Sequence, residues 1–122
     1  MADQEPPISL TELMFEIETH DRQLEFDLMG NPASLYQGVA LTLPDGSTIA
    51  WQPGPLRKAP GLPKILHFIL VCGRDVSVGV LASYLYEKLK GRATVLRVDR
   101  QEIRIDKGEI TRVITEHIEE RD

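Results

Sequence analysis

The sequence predicts an α+β fold. It reads as antiparallel β-hairpins in the N-terminal half, a βαβ crossover, a closing β-hairpin and a C-terminal amphipathic helix, in one mixed sheet layer packed by helices. Three observations carry this. Apolar and polar residues alternate near 15–28 and again near 39–51, the period of a half-buried strand. An apolar run at 65–72 leads into an apolar helical stretch and then a β-rich run, the order of a crossover. Residues 110–118 carry apolar side chains at i, i+3, i+4, i+7 and i+8, the stripe of an amphipathic helix.

Taken in order, residues 1–8 are acidic and proline-containing and are expected to form a disordered tail. Phe15, Ile17 and Thr19, then Leu24, Phe26 and Leu28, alternate with acids. A loop of His20 to Gln23 sets Thr19 opposite Leu24 and Ile17 opposite Phe26, with every apolar side chain on one face. A rival helix has Leu10, Leu13, Met14 and Ile17 at helical spacing, with Ser9 and Glu12 as a capping box. The hairpin is preferred, because the helix puts Phe15 on the wrong side. The second hairpin pairs Val39, Leu41 and Leu43 with Ile49 and Trp51 across Pro44-Asp45-Gly46. Pro44 sets φ, and Gly46 takes the left-handed conformation that closes a bulged turn. That register makes Trp51 a core residue.

Residues 52–64, with four prolines and two glycines, form a Pro-rich loop. Ile65 to Cys72 reads as a strand buried on both faces. Val76 to Lys90 reads as a helix, with Asp75 or Ser77 as N-cap and Gly91 as stop. Ala93 to Asp99 follows as a strand parallel to 65–72, and Gln101 to Asp106 returns with Val98 facing Ile103. Asp106 caps the last helix, with Glu109 three residues on.

The whole chain, 1–122, fits a single domain large enough to bury a core without disulfides. Its net charge of −5 argues against nucleic-acid or anionic-membrane partners, whose binding rests on neutralising phosphates. No apolar stretch reaches membrane-spanning length, because Arg74 and Asp75 split the longest one. One cysteine and no signal segment point to the cytoplasm.

The chemistry is sparse. Cys72, before a helix start, is a weak catalytic candidate, because a helix dipole and Arg74 favour a thiolate there. The position six residues on is Val78, where a phosphatase carries Arg. Gly73 and Gly79 lack the spacing, Lys and hydroxyl of a phosphate loop. His20, His67 and His117 have no zinc spacing, so neither metal nor cofactor is expected. Arg97 and Arg104 fall opposite each other in the expected register. With Arg74 they are candidate anion-binding residues. Arg57, Lys58 and Lys64 make the densest cationic group. Helix 76–90 is apolar around much of its girth, and Gly79 and Ser83 permit close backbone approach. Gly79, Ser83, Tyr84 and Tyr86 are therefore candidate contacts for a protein partner or a homo-oligomer.

Two resemblances follow. His67 to Asp75 with Ser83-Tyr84-Leu85-Tyr86 looks like the opening strand and helix of TIR domains. The likeness ends near Asp99, with too little chain beyond it for that fold or its catalytic Glu. Residues 76–118, with the helix, Val95 to Val98, Glu102 to Asp106 and the closing helix, are similar to small effector-associated constant component proteins of bacterial conflict systems. That resemblance implies an accessory or interaction role and supplies no catalytic residue. The expected function is a non-catalytic bacterial accessory or regulatory protein-interaction module. The rival is a small-ligand binder or thiol enzyme centred on Cys72 to Asp75.

Overall fold

A computed structural model describes residues 11–53, 61–72 and 77–120. The described residues form six strands and three helices in the order β1 (Thr11–Thr19), α1 (Leu24–Leu28), β2 (Ala40–Thr42), β3 (Thr48–Gln52), β4 (Lys64–Cys72), α2 (Val78–Leu89), β5 (Ala93–Val98), β6 (Gln101–Ile103) and α3 (Lys107–Glu120). The fold is α+β with an open sheet, ordered β2-β3-β4-β1-β5-β6.

Strand β1 organises the sheet. Leu13, Phe15 and Ile17 point into the core, and Glu12, Met14, Glu16 and Glu18 point the other way. The period-two pattern therefore extends back to Thr11, and the helical reading of 9–17 fails over its described part. Both edges of β1 are occupied, by β4 and by β5. This overturns the first expected hairpin. With no edge left to receive 24–28, that segment winds into α1. Leu24 and Leu28 also stand i and i+4, so they bury together on a helix as readily as on a strand.

Every neighbouring pair of strands is antiparallel. The expected mixed sheet and directly paired crossover are corrected here. β4 and β5 do run in the same direction through α2, but β1 lies between them. In the same way β1 and β3 share a direction and flank β4. Strands β1, β3, β4 and β5 with α1 and α2 thus have the connectivity of the split, ferredoxin-like β-α-β-β-α-β motif. β2 extends one edge of it, and β6 with α3 extends the other.

The second hairpin forms as expected. Leu41 opposes Ile49, the Gly46 amide donates to the Leu43 carbonyl, and Gly46 has φ +88°. The closing hairpin differs in register. Asp99 and Arg100 have φ +48° and +72°, a two-residue turn of the primed kind. Leu96 then opposes Ile103 and Arg97 opposes Glu102. The turn is this tight because Asp99 is tied to β1: its amide donates to the Met14 carbonyl, and its carboxylate accepts from the Met14 amide, both at 2.8 Å.

All three helices contribute to one core on one face of the sheet. Leu28, Leu81, Leu85, Leu89, Ile110 and Ile114 pack with the inward residues of the strands. Burial of each such side chain is worth about 1.5–3 kcal/mol. Ser77 caps α2 by accepting from the Val80 amide, and Gly91 (φ +72°) ends it. The Asp106 carboxylate accepts from the Glu109 amide at 3.0 Å, the expected cap of α3. On β4, Leu66, Phe68, Leu70 and Cys72 are buried, while Ile65, His67, Ile69 and Val71 are only half-buried. The expectation of a strand buried on both faces is corrected, because among the described elements the helices line a single side.

Candidate functional site

Cys72 closes β4 on the helix side of the sheet and is 2% exposed. Burial, with a smaller contribution from the Asp45 charge, pushes its thiol up to about 11. Asp45, on the β2–β3 turn, also accepts from the Ser77 amide at 3.2 Å. The amide at the start of α2 therefore meets a protein carboxylate instead of an anionic ligand. A group meant to ionise needs the opposite environment. Arg74, Asp75 and the rest of 73–76 lie outside the described residues, as do Arg57 and Lys58.

The expected Arg97–Arg104 pair is not formed. Arg97 Nη1 donates to Glu16 Oε2 at 2.5 Å, and its Nη2 lies 2.7 Å from Glu18 Oε2. The hydrogen bond that the guanidinium donates to Glu18 is the largest cause of its raised pKa. Arg104 is separate, at the rim, 3.4 Å from Glu109 Oε2. It lines an open groove of about 440 Å³ beside β6, together with Thr94, Glu102, Ile103 and Ile105. The expected register that set Arg97 opposite Arg104 is corrected: Arg97 opposes Glu102, and the two arginines have different acidic partners.

The α2 candidates also divide. Gly79 and Val80 face outward, with open space beyond the Gly79 Cα and Val80 46% exposed. Ser83 is half-buried. Tyr84 turns inward and donates to the Leu28 carbonyl at 2.7 Å, tying α2 to α1. Tyr86 packs against the core, with the Lys90 ammonium 5.5 Å from its ring centroid. Both tyrosines are half-buried and make contacts within the chain.

Buried polar chemistry gathers around α1. Glu25, 7% exposed, accepts from the Trp51 indole at 2.7 Å and from Lys64 at 2.6 Å. Trp51 packs against the core as expected, and Lys64 has a specific partner. Arg92 bridges Asp21 and Asp27 at 2.6 and 2.7 Å, and its hydrogen bond holds Asp21 below the usual carboxylate range. These groups are satisfied by one another. The core void beside them is about 10 Å³ and lined by apolar side chains, so it admits no substrate. Among the described residues no three His, Cys, Asp or Glu side chains are placed to share a metal. None of the described helices is long and apolar enough to cross a membrane.

The sheet face opposite the described helices carries side chains in cross-strand rows. The registers set Ala40, Ala50, Ile69 and Met14 in one cross-strand row. Beside it, Gln52, His67, Glu16, Arg97 and Glu102 form a polar row spanning five strands. Met14 is 51% exposed in a strand whose inward residues are almost fully buried. His67 Nε2 is shielded from solvent and has no hydrogen-bond partner among the described residues. Sequence reading missed this face. A signal lies in the acids at 12, 16 and 18, which alternate with the core residues of β1. Only the register shows that Met14 and Ile69 lie in one row.

No family model, no curated protein and no solved structure matches this chain.

Proposed function

We propose that the chain is a non-catalytic accessory module that works through protein contacts. One observation carries this reading: the described helices cover only one face of the sheet, and Met14 stands half-exposed in an apolar row on the other. Exposed apolar surface framed by polar groups is the composition of a contact surface. The thiol-enzyme reading lacks such support, since Cys72 is buried and its ionisation is opposed by burial and by Asp45. The bacterial setting and accessory role rest on the resemblance of residues 76–118.

The test is site-specific photo-crosslinking in cells from position 14, with position 107 on the exposed start of α3 as control. A discrete adduct at 14 and not at 107, with a partner that binds the purified wild-type chain and fails to bind Met14→Lys, is the expected result. Adducts equal at both positions, or none at 14, overturn the proposal.

A further inference from the structure

We infer that the sheet face that no described helix covers receives a basic amphipathic α-helix of a partner protein. This deepens the proposal above and rests on its reading of that face as a protein contact. Charge comes first. Among the described residues, Glu12, Glu16, Glu18 and Glu102 stand on this face, where Arg97 pairs with Glu16 and Glu18, and Arg104 lies at the rim beside Glu102; the carboxylates remain in excess. A second copy placed face to face sets carboxylates against carboxylates, which disfavours self-association there. The same sign repels the phosphates of nucleic acids and anionic lipids. A Lys- or Arg-bearing segment is the complementary occupant.

Backbone accounting then selects a helix. Strands β3, β4, β1 and β5 each have a neighbour on both sides, so their ladders are internal. The face therefore offers side chains and no backbone partners. An extended segment lying across it leaves its own N–H and C=O groups without partners, whereas a helix satisfies them internally. The side-chain layout fits as well. The apolar row from Ala40 to Met14 runs across the strands, and the polar row with Glu16 and Glu102 runs alongside it, two residues further along each strand. Two residues of strand span about 6.8 Å, within the width of one helix. A helix with an apolar stripe and flanking cations covers both rows at once.

The probe is a synthetic Leu/Lys amphipathic peptide of about four helical turns. It is titrated into the isotope-labelled full chain beside a Leu/Glu peptide of the same pattern. Expected amide-shift changes centre on Met14, His67, Ile69 and Arg97 for the Leu/Lys peptide, with the Leu/Glu peptide at least about tenfold weaker. The double variant Glu12→Lys, Glu102→Lys loses about tenfold in affinity, whereas Glu87→Lys on α2 changes it by less than about twofold. Equal binding of both peptides on this face, or concentration-dependent shifts there without peptide, overturns the basic-helix inference and leaves the contact reading standing. Anionic vesicles or RNA shifting the same amides also overturns it. If neither peptide moves the face and position 14 gives no crosslink, both readings fail together.

Discussion

His117 Nε2 lies 3.2 Å from Asp99 Oδ2, while its Nδ1 faces the Val113 carbonyl at 2.8 Å. Both ring nitrogens thus meet oxygen atoms of other groups, one on the β5–β6 turn and one on α3 itself. Since Asp99 also holds the Met14 amide, one carboxylate joins α3, the β5–β6 turn and β1. A double-mutant cycle of His117→Ala with Asp99→Asn is expected to show a coupling of about 0.5–1 kcal/mol, kept modest by partial exposure. Additive effects in urea unfolding contradict it.

Cys72 is expected to behave as a protected thiol. At pH 8 an aromatic disulfide reagent modifies the native chain at least about a hundredfold more slowly than the urea-unfolded chain, because its ionisation is pushed up to about 11 and its sulfur is buried. The sign for stability follows. The unfolded thiol ionises near its ordinary value while the folded one resists, so stability is intact below about pH 9 and falls as pH rises toward about 11. Cys72→Ala removes that alkaline loss. Rapid labelling at pH 8 contradicts the assignment.

Glu25→Ala leaves the Trp51 indole N–H without its acceptor in a half-buried setting and frees Lys64. A loss of about 1–3 kcal/mol is expected, with a shift in tryptophan emission. Glu25→Gln keeps an oxygen for Trp51 and should lose less. Equal losses in the two variants would show that the Lys64 charge pair, and not the indole bond, carries the contribution.

His67→Phe removes the shielded nitrogen that lacks a partner among the described residues and keeps a ring of similar size. The expected outcome is a gain of about 1 kcal/mol, read from the denaturation midpoint at unchanged slope. A loss of stability indicates that Nε2 has a partner.

The elements defined by local pattern were legible in the sequence. Pro44-Asp45-Gly46 specified its hairpin, Ser77 and Gly91 bounded α2, and Asp106 with Glu109 marked the start of α3. What escaped was non-local. Leu24, Phe26 and Leu28 satisfy a strand period as well as the i, i+4 spacing of a helix, and only the occupation of both edges of β1 decides between them. The Arg97 register turned on whether Asp99 enters a two-residue turn, which depends on the Met14 backbone, distant in sequence. The face that no described helix covers was hidden for the same reason. Its rows combine residues from strands far apart in the chain.

The central place of β1 has a kinetic consequence. Leu13, Phe15 and Ile17 leave a ribosome well before their partners on β4 and β5, which lie at 64–72 and 93–98. Until Val98 has been synthesised, β1 has one unpaired edge and the sheet ends at it, without β5 and β6. Such long-range pairing makes folding slow relative to helix formation and leaves the nascent chain open to aggregation. The strand that holds the finished sheet together is thus the one that waits longest to be completed.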